Sequence, residues 1–208
     1  MFDKYFTFLL FSISIILISK SFCNAQGSDS WKIPQEAPLL TKWAKDVSPQ
    51  NSLPEYPRPQ MVRHDWMNLN GLWQYSVAKE GEKPPIGKNL KGTILVPYPI
   101  ESALSGVMKT ADRLWYRRTF KIPEEWNDKR IILHFGAVDW ETEIYINGKK
   151  IGEHRGGYDP FSFEITSSLM KGKEQELVVG VFDPTDAGDQ PRGKQVRNPH
   201  GIWYPPTT

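Results

Sequence analysis

Cysteine is almost absent, since Cys23 is the only one in 208 residues. A single thiol closes no intrachain disulfide and builds no thiolate zinc site. Its surroundings say more than the residue itself. Lys4 gives a basic start, Tyr5 to Ile18 runs apolar with only Thr7, Ser12 and Ser14 interrupting, and Cys23-Asn24-Ala25 puts small residues where a signal peptidase reads. The pattern predicts a signal peptide over residues 1–25, cut after Ala25. The apolar run, about 14 residues, is shorter than the roughly 20 that a membrane-crossing helix needs, so no membrane span is expected after cleavage. Bulky Phe22 stands where a lipidation site prefers a small residue. Cleavage removes Asp3, Lys4, Lys20 and Cys23, which leaves a net charge of +1 and no thiol. Such a chain is expected to be exported, to a bacterial periplasm, the cell surface or the medium, and to rely on its core for stability.

Charge of one sign is also lacking. A net charge of +2 over the whole chain supplies no field for nucleic acid or an anionic membrane. The four histidines, His64, His134, His154 and His200, have no metal-ligand spacing. Neither a zinc site nor a Ser–His–Asp arrangement is supported, and no cofactor is expected. No segment keeps a helical period, and no internal repeat or low-complexity tract is present.

What is abundant is proline, aromatic residues and short alternating runs. Residues 26–60 carry Pro34, Pro38, Pro49, Pro54, Pro57 and Pro59, each of which removes a backbone donor. This segment predicts an extended arm, and Trp31, Leu39, Leu40 and Trp43 give it apolar groups with which to pack on the body. The body, 61–208, reads as short strands: Leu72 to Ala78, Thr93 to Val96, Leu114 to Lys121, Arg130 to Phe135, Glu143 to Ile146, Lys149 to Glu153, Phe161 to Ile165 and Leu177 to Phe182. Asn147-Gly148 suits a type I′ hairpin turn, because both residues tolerate positive φ. Strands at this spacing predict an all-β fold, an antiparallel β-sandwich of jelly-roll type. The last strand, from Trp203, is closed early by Pro205-Pro206, so the sandwich is expected to be truncated at its C-terminal end.

Sugars present C–H faces ringed by hydroxyls, so aromatic and polar groups together mark the candidate site residues. Trp73, Trp115 and Tyr145 sit in strands and are expected to fill core. Trp140 and Trp203, beside polar turns, are the better ligand-facing candidates. Asp139, Glu141 and Glu143 share one side of a strand, which a half-solvated sheet face explains without catalysis. Gly156-Gly157-Tyr158-Asp159-Pro160 is a tight turn rather than a phosphate cradle, because a strand follows it. The polar stretch Asp183 to His200 is the best functional loop: it places Asp183, Asp186, Gln190, Arg192 and Arg197 between two strands, and long loops of this kind tend to carry function.

Several stretches resemble one family in the same order: Arg63-His64-Asp65-Trp66-Met67-Asn68-Leu69-Asn70-Gly71-Leu72-Trp73, Val96-Pro97-Tyr98-Pro99-Ile100-Glu101-Ser102, Leu114-Trp115-Tyr116-Arg117-Arg118 and Gly201-Ile202-Trp203-Tyr204. The resemblance, from about Leu39 to Thr208, is to the N-terminal sugar-binding domain of glycoside hydrolase family 2, the β-galactosidase and β-glucuronidase group. It implies binding of carbohydrate, a β-galactoside-like oligosaccharide or polysaccharide, next to downstream immunoglobulin-like and barrel domains. In that family the barrel carries the acid/base and nucleophile glutamates, so no residue here is expected to be catalytic. The resemblance also implies that Asp186, with Asp183 second, contacts sugar hydroxyls. A free-standing carbohydrate-binding module and an inactive truncated product are the alternative readings.

Overall fold

A computed structural model describes residues 31–37, 39–55 and 63–205. The expected signal peptide lies outside the described residues. Eight strands carry the regular structure: β1 (Gly71–Val77), β2 (Gly92–Val96), β3 (Arg113–Lys121), β4 (Ile132–Phe135), β5 (Glu141–Ile146), β6 (Lys149–Arg155), β7 (Phe161–Glu164) and β8 (Glu174–Phe182). Each of the eight strands expected between Leu72 and Phe182 is present, with ends displaced by at most three residues; among the described residues the last strand expected from Trp203 is not formed, and only an isolated bridge joins Tyr204 to Gln195. The largest displacement is at β8, which starts early because Glu174–Glu176 continue the ladder to Thr119–Lys121. Polar residues there hide the strand from a hydrophobic pattern.

The strands form a six-stranded antiparallel sheet, ordered β2-β1-β3-β8-β5-β6, and a two-stranded sheet, β4-β7. Between them lies a core built on Trp73, Ile94, Leu114, Leu133, Ile144 and Leu177. Alternation sorts the two faces: β5 buries Thr142, Ile144 and Ile146 and turns Glu141, Glu143 and Tyr145 outward. The small sheet approaches β6 at Gly152, where a Cβ would meet Cε1 of Phe163 at 2.3 Å. Trp115 is buried, as expected, but by strand parity it lies on the outer face and not in the inter-sheet core.

Arg117 and Arg118 leave β3 on opposite faces. On the outer face Arg117 donates through Nε to Glu176 at 2.6 Å and through Nη1 to Gln74 and Asn89 at 3.1 and 3.0 Å. On the inner face Arg118 Nη1 donates to the carbonyls of Leu69 and Asn70 at 2.8 and 3.0 Å, which fixes the turn entering β1. One arginine joins three strands, and the other ties down the loop that starts them.

The arm contacts the body at a few points. Trp31 Nε1 donates to the Leu104 carbonyl at 3.1 Å and Ser52 Oγ to that of Val96 at 2.7 Å. Trp31 also covers Gly106. Leu39, Leu40 and Trp43, in contrast, remain exposed at 78%, 52% and 63%; their apolar character is not used for packing on this body.

At the β5–β6 turn Asn147 and Gly148 have φ of 49° and 82°, both in the left-handed region that a type I′ turn requires. The Asn147 amide also reaches beyond its own hairpin. It donates to the Ser168 carbonyl and to Gln175 Oε1, and it accepts from the Glu176 amide, each at 2.8 Å. Asn147→Ala should therefore cost about 2–4 kcal/mol, from lost hydrogen bonds and from alanine held at positive φ. Urea denaturation of the two proteins checks this.

Candidate functional site at one end of the sheet

Antiparallel pairing brings four chain segments to one end of the large sheet. Arg113 pairs with Phe182, Phe182 with Glu141, and Glu141 with Arg155. The residues just outside these positions therefore meet: Asp112, Asp183, Asp139-Trp140 and Gly156-Gly157. Backbone bonds hold them together, from Asp183 N to Asp112 O at 2.8 Å, Trp140 N to Phe182 O at 3.3 Å and Gly156 N to Trp140 O at 2.9 Å.

Three carboxyl groups here, Glu101, Asp139 and Asp183, are raised above their ordinary pKa values, and neighbouring negative charge adds to each rise. Desolvation raises Asp183, opposed by the bond from Thr185 N to its Oδ1 (2.7 Å) and by Arg197, with Asp112 adding to the rise. Desolvation also raises Asp139, exposed though that residue is, and the Asp183 charge adds to it. Glu101 is raised chiefly by burial, then by Asp183 and Asp139. The Tyr116 phenol beside them is pushed up by burial and by Glu101. Gly157 makes room for this group, since a Cβ there would sit 2.4 Å from Asp139 Oδ1. The tight Gly-Gly turn is thus also a seat for a carboxylate.

The polar loop closes over this end through Arg197, whose guanidinium bonds the Asp112 carboxylate and lies 3.9 Å from that of Asp186. Asp186 Oδ2 accepts from Arg197 N at 2.9 Å, and its carbonyl accepts from Arg192 at 2.7 Å. Asp186 therefore holds its own loop, while Asp183 faces the other carboxylates. Trp140 lies at the site with its Nε1 buried and unpartnered. Trp203 stacks near Arg192, 5.2 Å from ring centre to guanidinium carbon, on the far part of the loop. Sequence reasoning missed Glu101 and Tyr116 and assigned Asp139 to a solvated strand face. Glu101 lies inside the Val96–Ser102 stretch, but only the folded chain brings it under the influence of the Asp183 charge. Among the described residues no group of three or more His, Cys, Asp or Glu could hold a metal ion.

The profile of the family described as glycosyl hydrolases family 2, sugar binding domain, matches residues 85–190. The chain belongs to this family. The match runs from the β1–β2 loop through β8 into the polar loop, so the family 2 domain includes Glu101, Asp139, Asp183 and Asp186. Over 77 residues the chain is 38% identical to a β-galactosidase of Thermoanaerobacter pseudethanolicus, covering 37% of this chain and 10% of the relative. Over 148 residues it is 24% identical to a β-glucuronidase of Paenibacillus borealis, covering 67% and 24%. A solved β-glucuronidase from Ruminococcus gnavus in complex with D-glucuronic acid shares the fold, with a TM-score of 0.50 and 22% identity over 59% of this chain and 23% of that one. The family 2 chain thus spans about a tenth to a quarter of the length of these relatives.

The raised carboxylates set a pH dependence. A carboxyl whose pKa is raised by folding stabilises the fold while it is protonated, and that contribution is lost as pH rises through the raised value. Asp183→Asn keeps the acceptor for Thr185 N and removes the charge. It should gain stability relative to the parent between about pH 4 and pH 7 and lower the Glu101 pKa. Urea denaturation across that range and carbon-detected NMR titration of Glu101 measure both.

Proposed function

We propose that this chain is the N-terminal sugar-binding domain of a β-galactosidase-like glycoside hydrolase, folded as a jelly roll and exported. In the complete protein it would sit beside an immunoglobulin-like domain and a barrel that carries the hydrolytic glutamates. The lengths of the relatives, about four to ten times the matched segment, favour a domain of a larger enzyme over a free-standing binding module. The signal-like pattern of residues 1–25 supports export.

The observation that carries the reading is that, at one end of a family 2 sandwich, backbone pairing brings together the segments that carry Asp139 and Asp183, with Glu101 near enough to feel both charges. Carboxyl and carboxylate groups with a nearby phenol supply acceptors and donors for vicinal hydroxyls. Their crowding also selects. A uronic acid would add a fourth negative charge where each group already raises another, so a neutral galactoside fits the site better than a glucuronide.

Titrating the chain with methyl β-galactoside should shift the amides of Glu101, Asp139 and Asp183 in the millimolar range, about −4 kcal/mol, and methyl β-glucuronide should bind more weakly. Asp183→Ala should weaken galactoside binding about tenfold, or 1.4 kcal/mol. The 208-residue chain alone should turn over neither nitrophenyl β-galactoside nor nitrophenyl β-glucuronide. Tighter binding of the glucuronide, or measurable turnover, would contradict this reading.

A further inference from the structure

The outer face of the six-stranded sheet holds a second feature, a polar groove of about 270 Å³. Strand register defines its walls. One cross-strand row runs Arg113, Phe182, Glu141, Arg155, and the next runs Trp115, Gly180, Glu143, Glu153. Both rows point away from the core. The Ala78–Glu82 stretch of the β1–β2 loop forms a lip at one end.

Gly180 is the gap in the second row. A Cβ there would meet Trp115 Cζ3 at 2.5 Å and Glu143 Cγ at 2.8 Å, so the indole and the glutamate lean into the space that the glycine leaves. Cζ3 lies across the indole from Nε1, which directs the N–H away from Gly180. Trp115 is 3% exposed, and its Nε1 has no hydrogen-bond partner. A buried donor left unpaired costs about 1–3 kcal/mol, and Trp115 is one of the residues that line the groove.

The groove is electrically balanced. The cations Lys79, Arg113 and Arg155, together with Lys150, which pairs with Glu143 at 3.6 Å and Glu153 at 3.0 Å, face four glutamates, and Arg155 already pairs with Glu141 at 2.9 Å. Arg113 lies 3.8 Å above the Phe182 ring. An anionic ligand would meet as many carboxylates as cations, and an apolar one would strand them all. A polyhydroxyl ligand satisfies both kinds, donating to glutamates and accepting from guanidinium groups. The volume is just below the usual span for small-molecule sites, about 300–1,000 Å³, which suits one sugar unit of a longer chain.

We propose that this outer-face groove binds a neutral oligosaccharide across β3, β8, β5 and β6, as a second carbohydrate site separate from the carboxylate end of the sheet. The proposal goes beyond the reading above and stands on different residues. It is tested on the 208-residue chain by nitrogen–proton NMR titration with neutral gluco-, galacto-, manno- and xylo-oligosaccharides. At least one should shift the amides of Gly180, Glu143 and Glu153, and Asp183→Ala should leave those shifts in place. Arg155→Ala, at the exposed rim, and Glu143→Gln, half-buried beside Gly180, should each weaken that binding about fivefold to tenfold. Trp115→Phe keeps a ring and removes the unpaired N–H, so it should lower affinity without lowering the melting temperature. Shifts confined to Glu101, Asp139 and Asp183 would overturn the groove while upholding the first site. No shift at either place at about 10 mM, or unchanged affinity in all three variants, would overturn it as well.

Discussion

The antiparallel ladder between β3 and β8 is the constraint on which the rest of the structure depends. Nine residue pairs, from Arg113–Phe182 to Lys121–Glu174, place these two strands at the centre of the large sheet. A shift of one residue would exchange the faces of every side chain on either strand. Leu114, Leu177, Val179 and Phe120 would leave the core, and Arg117 would lose Glu176. Each cross-strand pair contributes only about 0.2–1 kcal/mol, so the register is held by their sum. The same register decides where function can sit, because it brings Asp112 and Asp183 together at one end.

Charge is distributed along that ladder by a consistent rule. Near the middle, guanidinium groups are satisfied by fixed partners: Arg117 by Glu176, Gln74 and Asn89, and Arg118 by two carbonyls. The Arg117–Glu176 pair is 13% exposed on each side, and losing one partner would strand the other in a poorly solvated place. Toward the end of the sheet the balance changes. Glu101, Asp139 and Asp183 lie close without a cation dedicated to each, since Arg197 is shared by Asp112 and Asp186. The middle of the sheet neutralises its charges, and its end leaves some available to a ligand.

How much of this was legible in the sequence depends on the range of the interaction involved. Asn147-Gly148 announced its turn because the cause is local: two adjacent residues able to adopt positive φ. The strands were legible where apolar alternation marked them, as in β5, and obscured where polar residues continue a ladder, as at Glu174–Glu176. Arg117-Arg118 was visible as a motif, but its division between faces needed strand parity and knowledge of which face was covered. The site was harder. Glu101, Asp139 and Asp183 are far apart in the chain; the pairing of β5 with β8 sets Asp139 and Asp183 at the same end of the sheet, and Glu101 comes from the connection between β2 and β3. The role of Asp186 rests on family resemblance; in the fold its carboxylate also accepts from Arg197 N within its own loop. Leu39, Leu40 and Trp43 read as packing groups because hydrophobicity alone cannot say whether a partner surface lies within reach.

Glycine links the two candidate sites. At Gly157 and at Gly180 the missing side chain is replaced by a carboxylate-bearing one from a neighbouring segment, Asp139 in the first case and Glu143 in the second. Neither position is required for a turn in the way Gly148 is; Gly180 lies inside a central strand, where glycine weakens pairing and packs nothing. A residue that costs stability at the middle of a sheet marks a place where something must come close to the backbone. At Gly180 part of that space is taken by an indole whose N–H has no partner, and at Gly157 by an acid whose charge is unfavourable. Both glycines therefore support groups that the fold alone leaves unsatisfied, and a hydroxyl-rich ligand has the donors and acceptors to satisfy them.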